Sequence, residues 1–147
     1  MKLFNVEVET TTVEFDGVIL VVPVINGKPM EFIHKTFSGY PSKCGAGQGI
    51  GDLIVPETWF GLRASAICHI HDTDFEIAPP TWMAFHALNY RFIRNSLELI
   101  RVKSANAVTR TLRNYRATTY FNAVDSIGAD IFWNLKREQG YNVPSGV

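Results

Sequence analysis

Two adjacent prolines, Pro79-Pro80, constrain this chain more than any other feature. Proline cannot continue a helix and biases the residue before it toward extended backbone, so the pair separates two helical stretches. A connection this short makes the flanking helices antiparallel neighbours. The first is expected to begin near Pro56 or Glu57, with proline and an acidic residue in its first turn. It carries Trp59, Phe60, Ala64 and Ile67. The second is expected from Thr81, a suitable N-cap, to about Val102, with an apolar stripe of Trp82, Phe85, Leu88, Phe92 and Ile100. Asn89 lies close to that stripe, so Asn89 or His86 is placed to meet a residue of the first helix.

The residue of interest is His71. On a helix, positions three and four apart share a face, which puts Cys68, His71, Asp72 and Phe75 on one side. A thiol, an imidazole and a carboxylate are costly to bury without partners. Upstream, Cys44-Gly45-Ala46-Gly47-Gln48-Gly49 forms a glycine-rich stretch whose backbone groups can approach an ion closely. Together these suggest a metal-assisted hydrolytic site. Calcium suits Asp72 and loop carbonyls, because a hard cation takes oxygen ligands. His71 would then serve as general base toward water. A zinc site built on His69, His71 and His86 is a rival, but His69 and His71 point to nearly opposite sides of a helix. A dinucleotide fingerprint is disfavoured, since no strand–loop–helix unit of the proper spacing follows.

Around this centre the chain reads as one α+β domain, an N-terminal antiparallel β-meander followed by three α-helices. Residues 3–37 form the meander, 38–56 the glycine-rich loop, 57–138 the helices and 139–147 a tail. Val6, Val8, Val13 and Phe15 alternate with polar residues, as in a strand with one solvated face. Asp16-Gly17 and Asn26-Gly27 favour two-residue type I′ hairpins, the second leading into a strand from Met30 to Phe37. Pro23 implies irregularity in the middle strand or an exposed N–H edge there. His34 is read as a surface or core histidine. The third helix, from about Asn106 to Lys136, offers Val108, Leu112, Tyr115, Val124, Ile127, Ile131 and Leu135 at helical spacing, with Thr118-Thr119 or Gly128 as places for a break. Trp59, Phe60, Trp82 and Met83 are assigned to the core rather than to a lipid-binding rim.

Formal net charge is zero, so no long-range field favours nucleic acid. The N-terminal residues lack the apolar core of a signal peptide, and the run from Val18 to Ile25 is too short to span a bilayer, so a soluble protein without a transmembrane segment is expected.

Cys-Gly-x-Gly in a loop, followed by Cys-x-x-His-Asp-x-x-aromatic on a helix, resembles secreted phospholipase A2 over roughly residues 43–100. The resemblance implies calcium-dependent cleavage of a phospholipid acyl ester at a membrane surface. It implies a disulfide between Cys44 and Cys68, the only cysteines in the chain. It also implies a calcium ion on the carbonyls of Lys43, Gly45 and Gly47 and the Asp72 carboxylate, with the Gly45 N–H as oxyanion donor. His71 would be the base, and Asn89, within Asn89-Tyr90-Arg91-Phe92, would orient it. Asn89 stands where that family has aspartate, and Phe75 where it usually has tyrosine. The order of elements is also similar to small bacteriophage-encoded proteins with a β-rich N-terminus and a His-Asp helix. That likeness implies a product of the host cytoplasm or the virion, released after lysis, with oligomer or virion association. It leaves a non-catalytic virion or interaction protein on the same scaffold as the alternative.

Overall fold

The computed structural model describes residues 8–42, 44 and 58–144. It has the expected α+β arrangement, with a three-stranded antiparallel sheet followed by three helices. β1 (Thr10–Phe15) and β2 (Val18–Ile25) pair across Asp16-Gly17, and β2 pairs with β3 (Lys28–Pro29) across Asn26-Gly27. All four turn residues have positive φ (48° and 80°, 52° and 76°), as type I′ geometry requires. Alternate residues of β2, Val18, Leu20 and Val22, are fully buried, each contributing about 1.5–3 kcal/mol of burial.

The third strand is far shorter than expected, because only Lys28 and Pro29 pair. At the next pairing position Met30 still bonds to the Pro23 carbonyl, but Pro23 has no N–H to return, and the ladder ends there. The chain beyond it is held by side chains instead: the Ile33 N–H donates to the Tyr40 hydroxyl, and the Phe37 N–H to Asp16 Oδ2. Pro23 remains within β2. Val24 donates to the Glu9 carbonyl on the β1 side, so Val21 and Pro23, of opposite parity, turn their backbone groups away from β1. There Met30 donates to the Pro23 carbonyl, and Asn95 of the second helix makes two bonds with Val21, its Oδ1 accepting from the N–H at 2.9 Å and its Nδ2 donating to the carbonyl at 2.8 Å. A buried carboxamide thus stands in for the missing length of β3.

The first helix, α1, spans Ser65–Ile77 and starts later than the sequence suggests. A second small hairpin precedes it, β4 (Thr58–Trp59) and β5 (Leu62–Arg63), turning on Phe60 and Gly61 with φ of 48° and 79°. Its turn is grasped by α3 (Ala107–Glu138), whose Arg113 donates to the carbonyls of Trp59 and Phe60. α2 spans Trp82–Lys103, and Thr81 caps it by accepting from the Ala84 N–H. α3 is likewise capped by Asn106, and it runs unbroken through Thr118-Thr119 and Gly128.

The buried face of α3 follows the expected stripe only in part. Val124 is buried and Ile131 and Leu135 pack against the core as expected, but Val108, Leu112, Tyr115 and Ile127 are exposed, and Ala117, Gly128 and Phe132 are buried in their stead. Small residues at 117 and 128 let this side approach its neighbours closely, and Arg113 fixes the rotation. Trp59 is core, as expected, but Phe60, Trp82 and Met83 are not. Phe60 lies beneath the Arg116 guanidinium, and Trp82, in the first turn of α2, stacks on His86.

Two apolar clusters result. One joins the sheet to Ile67 and Ile70 of α1 and Phe92 and Leu99 of α2. The other gathers Phe75, Phe85, Leu88, Phe132 and Trp133 where the three helices meet. Beside the second cluster, Lys136 of α3 donates to the Phe75 and Glu76 carbonyls and satisfies the C-terminus of α1. Among the described residues no helix is long and apolar enough to cross a membrane.

Candidate functional site

His71 lies at the seam of the two clusters. Its ring is 4.9 Å from that of Phe92, in the first cluster, and 5.2 Å from that of Phe75, in the second. Only 5% of its surface is exposed. The antiparallel packing of α1 on α2 puts its Nε2 2.8 Å from Asn89 Oδ1, one of the two partners (Asn89 or His86) left open by helical spacing and the Pro79-Pro80 connection, and the one the resemblance assigns. An amide oxygen only accepts, so Nε2 carries the proton and Nδ1 keeps its lone pair. Burial pushes the imidazole down to about 4; the Asn89 hydrogen bond opposes this and the nearby Arg91 charge adds to it. At neutral pH the ring is therefore uncharged.

One turn from this pair, Arg91 clasps Asp74 through two bonds of 3.0 Å, Nε to Oδ2 and Nη2 to Oδ1. Burial raises the Asp74 carboxyl above its ordinary value despite the hydrogen bond and charge of Arg91. The pair locks α1 to α2 on the side that fixes the His71–Asn89 distance. Asp72, expected on the side of Cys68, His71 and Phe75, projects instead from the exposed side of α1, while those three are buried. The sulfurs of Cys44 and Cys68 lie at disulfide distance with Cα atoms 5.2 Å apart, which ties the start of the glycine-rich stretch to α1 three residues before His71. Lys43, Gly45 and Gly47 lie outside the described residues.

The three histidines of the zinc alternative are held apart. His69 Nδ1 pairs with the Tyr40 hydroxyl, His71 with Asn89, and His86 Nδ1 with Asp125 Oδ1 at 3.0 Å. Among the described residues, no group of three His, Cys, Asp or Glu side chains is gathered to hold a metal. Tyr40 also accepts from the Ile33 N–H, and burial raises its phenol above the ordinary value, with that hydrogen bond opposing. His34, by contrast, is at the surface.

Three contributors escape the sequence reading. Arg91 lies within Asn89-Tyr90-Arg91-Phe92 and Asp74 between His71 and Phe75, yet their pairing depends on the rotations of α1 and α2. Asp125, on α3, accepts from Asn89 Nδ2 at 3.2 Å and follows Asn89 by 36 positions. The only signal for Asp125 in the sequence is an acidic residue beside Val124 on a helix whose apolar positions do not all face one side.

No protein-family model, curated protein or solved structure matches this chain.

Proposed function

We propose that the chain is a calcium-dependent, phospholipase A2-like hydrolase that cleaves an acyl ester of a phospholipid at a membrane surface. The observation that carries this reading is the His71 Nε2 to Asn89 Oδ1 contact, 2.8 Å long, beside Asp72 and one turn beyond the Cys44–Cys68 pair. An uncharged imidazole with its proton on Nε2 presents Nδ1 as the base that takes a proton from an attacking water. Asn89 holds the ring plane, and its carbonyl dipole faces the imidazolium that forms. Phe75 and Phe92 keep bulk water from the inner side of the ring.

The donor chemistry suits a hard cation: Asp72 offers a carboxylate on the exposed side of α1, and the resemblance assigns the remaining positions to the carbonyls of Lys43, Gly45 and Gly47. Calcium, when bound, supplies positive charge for the developing oxyanion. Gly45 is the oxyanion donor on the same reading.

The test is fatty-acid release from phospholipid vesicles, with calcium and with chelator, by wild type and His71→Gln. Calcium-dependent release that drops by about 10²-fold or more in the variant is expected, the usual weight of a general base. No release from several phospholipids, with stability unchanged by calcium, overturns the reading.

A second reading, a non-catalytic assembly component, has one observation in its favour. Val108, Leu112 and Tyr115 leave an apolar stripe on α3 that is 72%, 46% and 76% exposed. It predicts a stable oligomer or particle association that His71→Gln leaves unchanged.

A further inference from the structure

The two ends of the Asn89 side chain differ in chemistry but hardly in shape. The amide is fully buried, and half a turn about its last bond would exchange Oδ1 and Nδ2 in the same space. Packing therefore cannot choose between the two orientations. Nor can His71, since a neutral imidazole is a donor at one nitrogen and an acceptor at the other and can satisfy either end of the amide by changing tautomer. The choice must come from the other side of Asn89, where Asp125 of α3 lies 3.2 Å from Nδ2. An ionised carboxylate only accepts, so it takes the N–H end and turns Oδ1 toward His71. An acceptor at that point requires a proton on Nε2 and leaves Nδ1 bare. Asp125 is itself held: the same Oδ1 receives His86 Nδ1 at 3.0 Å, and the His86 ring is stacked on Trp82 with centroids 5.9 Å apart.

We propose that Asp125 is a positioning residue that sets the tautomer of His71 through the Asn89 amide. It acts on the ring from two hydrogen bonds away, across the α2–α3 interface. Its effect on turnover rests on the hydrolase reading above; its effect on the tautomer does not.

The experiment is a long-range nitrogen–proton correlation spectrum of the full-length protein at one pH where His71 is neutral. The chain has four histidines, and the His71→Gln spectrum identifies the His71 ring. Wild type is expected in the Nε2–H form. Asp125→Leu removes the acceptor, so the amide turns freely and the Nδ1–H form appears beside the other. Asp125→Asn supplies an amide that can itself present either end to Asn89, so it too is expected to show both forms. Asn89→Asp combined with Asp125→Leu restores the wild-type form, because a carboxylate at position 89 accepts whichever way it is turned. Asp125 is partly exposed on its helix, so these variants are expected to fold; Asp125→Ala, read in the same way, replaces the leucine variant if its melting curve is lost.

On phospholipid vesicles Asp125→Leu should lose about tenfold in kcat with KM unchanged, as expected for a disordered base, and the double variant should regain it. Failure to hydrolyse lipid, with ring tautomers that follow the variants as described, removes the hydrolase and supports the positioning role. A wild-type tautomer persisting unmixed in Asp125→Leu overturns the positioning role, whatever the activity.

Discussion

His71 stays uncharged in the fold because a charged ring there would exchange bulk water for Phe75, Phe92 and a single amide oxygen. That preference makes stability depend on acidity. The imidazole titrates near 6.5 when exposed and at about 4 when folded, so in that window the unfolded chain binds more protons. The stabilising contribution is present above about pH 6.5 and is lost as pH falls toward 4, with a ceiling of about 3 kcal/mol. Asp74 acts with the opposite sign: its carboxyl is raised by burial, so the folded state takes up that proton first and gains stability as pH falls toward 3.8. Urea unfolding of wild type and His71→Gln, in calcium-free buffer between about pH 7 and about pH 4.5, separates the two. Wild type should lose more stability over that range; parallel curves would show that His71 contributes nothing to it. The His71–Asn89 meeting was legible because one helical period and one proline pair narrow the partner to Asn89 or His86, and the motif around Asn89 chooses between them. Asp125 was not, because its place depends on the rotation of a third helix, and the apolar pattern of α3 tells that rotation only in part: Val124, Ile131 and Leu135 face the core. Val108, Leu112 and Tyr115 have the right spacing and the wrong side.

Among the elements, the caps and turns were the most readable. Thr81, Asn106 and both Asx-Gly pairs act as their chemistry requires. The start of α1 was not readable, because Phe60 in the left-handed region makes a hairpin that no local preference for phenylalanine announces. The seam between sheet and helices depends on Asn95. Its replacement by leucine leaves the Val21 N–H and C=O without partners, and a loss of about 2–4 kcal/mol in chemical denaturation is expected. An unchanged midpoint would mean that water serves Val21 equally well. Gly128 offers the reverse case. A methyl group there would sit 3.7 Å from Val124 and 3.8 Å from Phe85, ordinary contacts inside a continuous helix. Gly128→Ala is therefore expected to raise stability by about 0.5–1 kcal/mol. A loss would show that α2 and α3 are packed more tightly than these distances imply.

For the molecule as a whole, the covalent link between Cys44 and Cys68 spans 24 positions and ends on the helix that carries His71. Closing a loop of that length restricts the unfolded chain, and reduction is expected to cost about 3 kcal/mol. Denaturation with and without reductant measures it; alkylation of both thiols without prior reduction would show that the link does not form. The sheet carries a consequence of another kind. A β-strand with open backbone groups is a template on which a second chain can add, the first step toward aggregates. Along β2 from Val21 to Ile25 that template is withheld: Asn95 occupies both groups of Val21, Pro23 has no N–H and its carbonyl is taken by Met30, and Ile25 pairs with Lys28. The amide that fastens helix to sheet thereby also closes this stretch of β2 to a second copy of the chain.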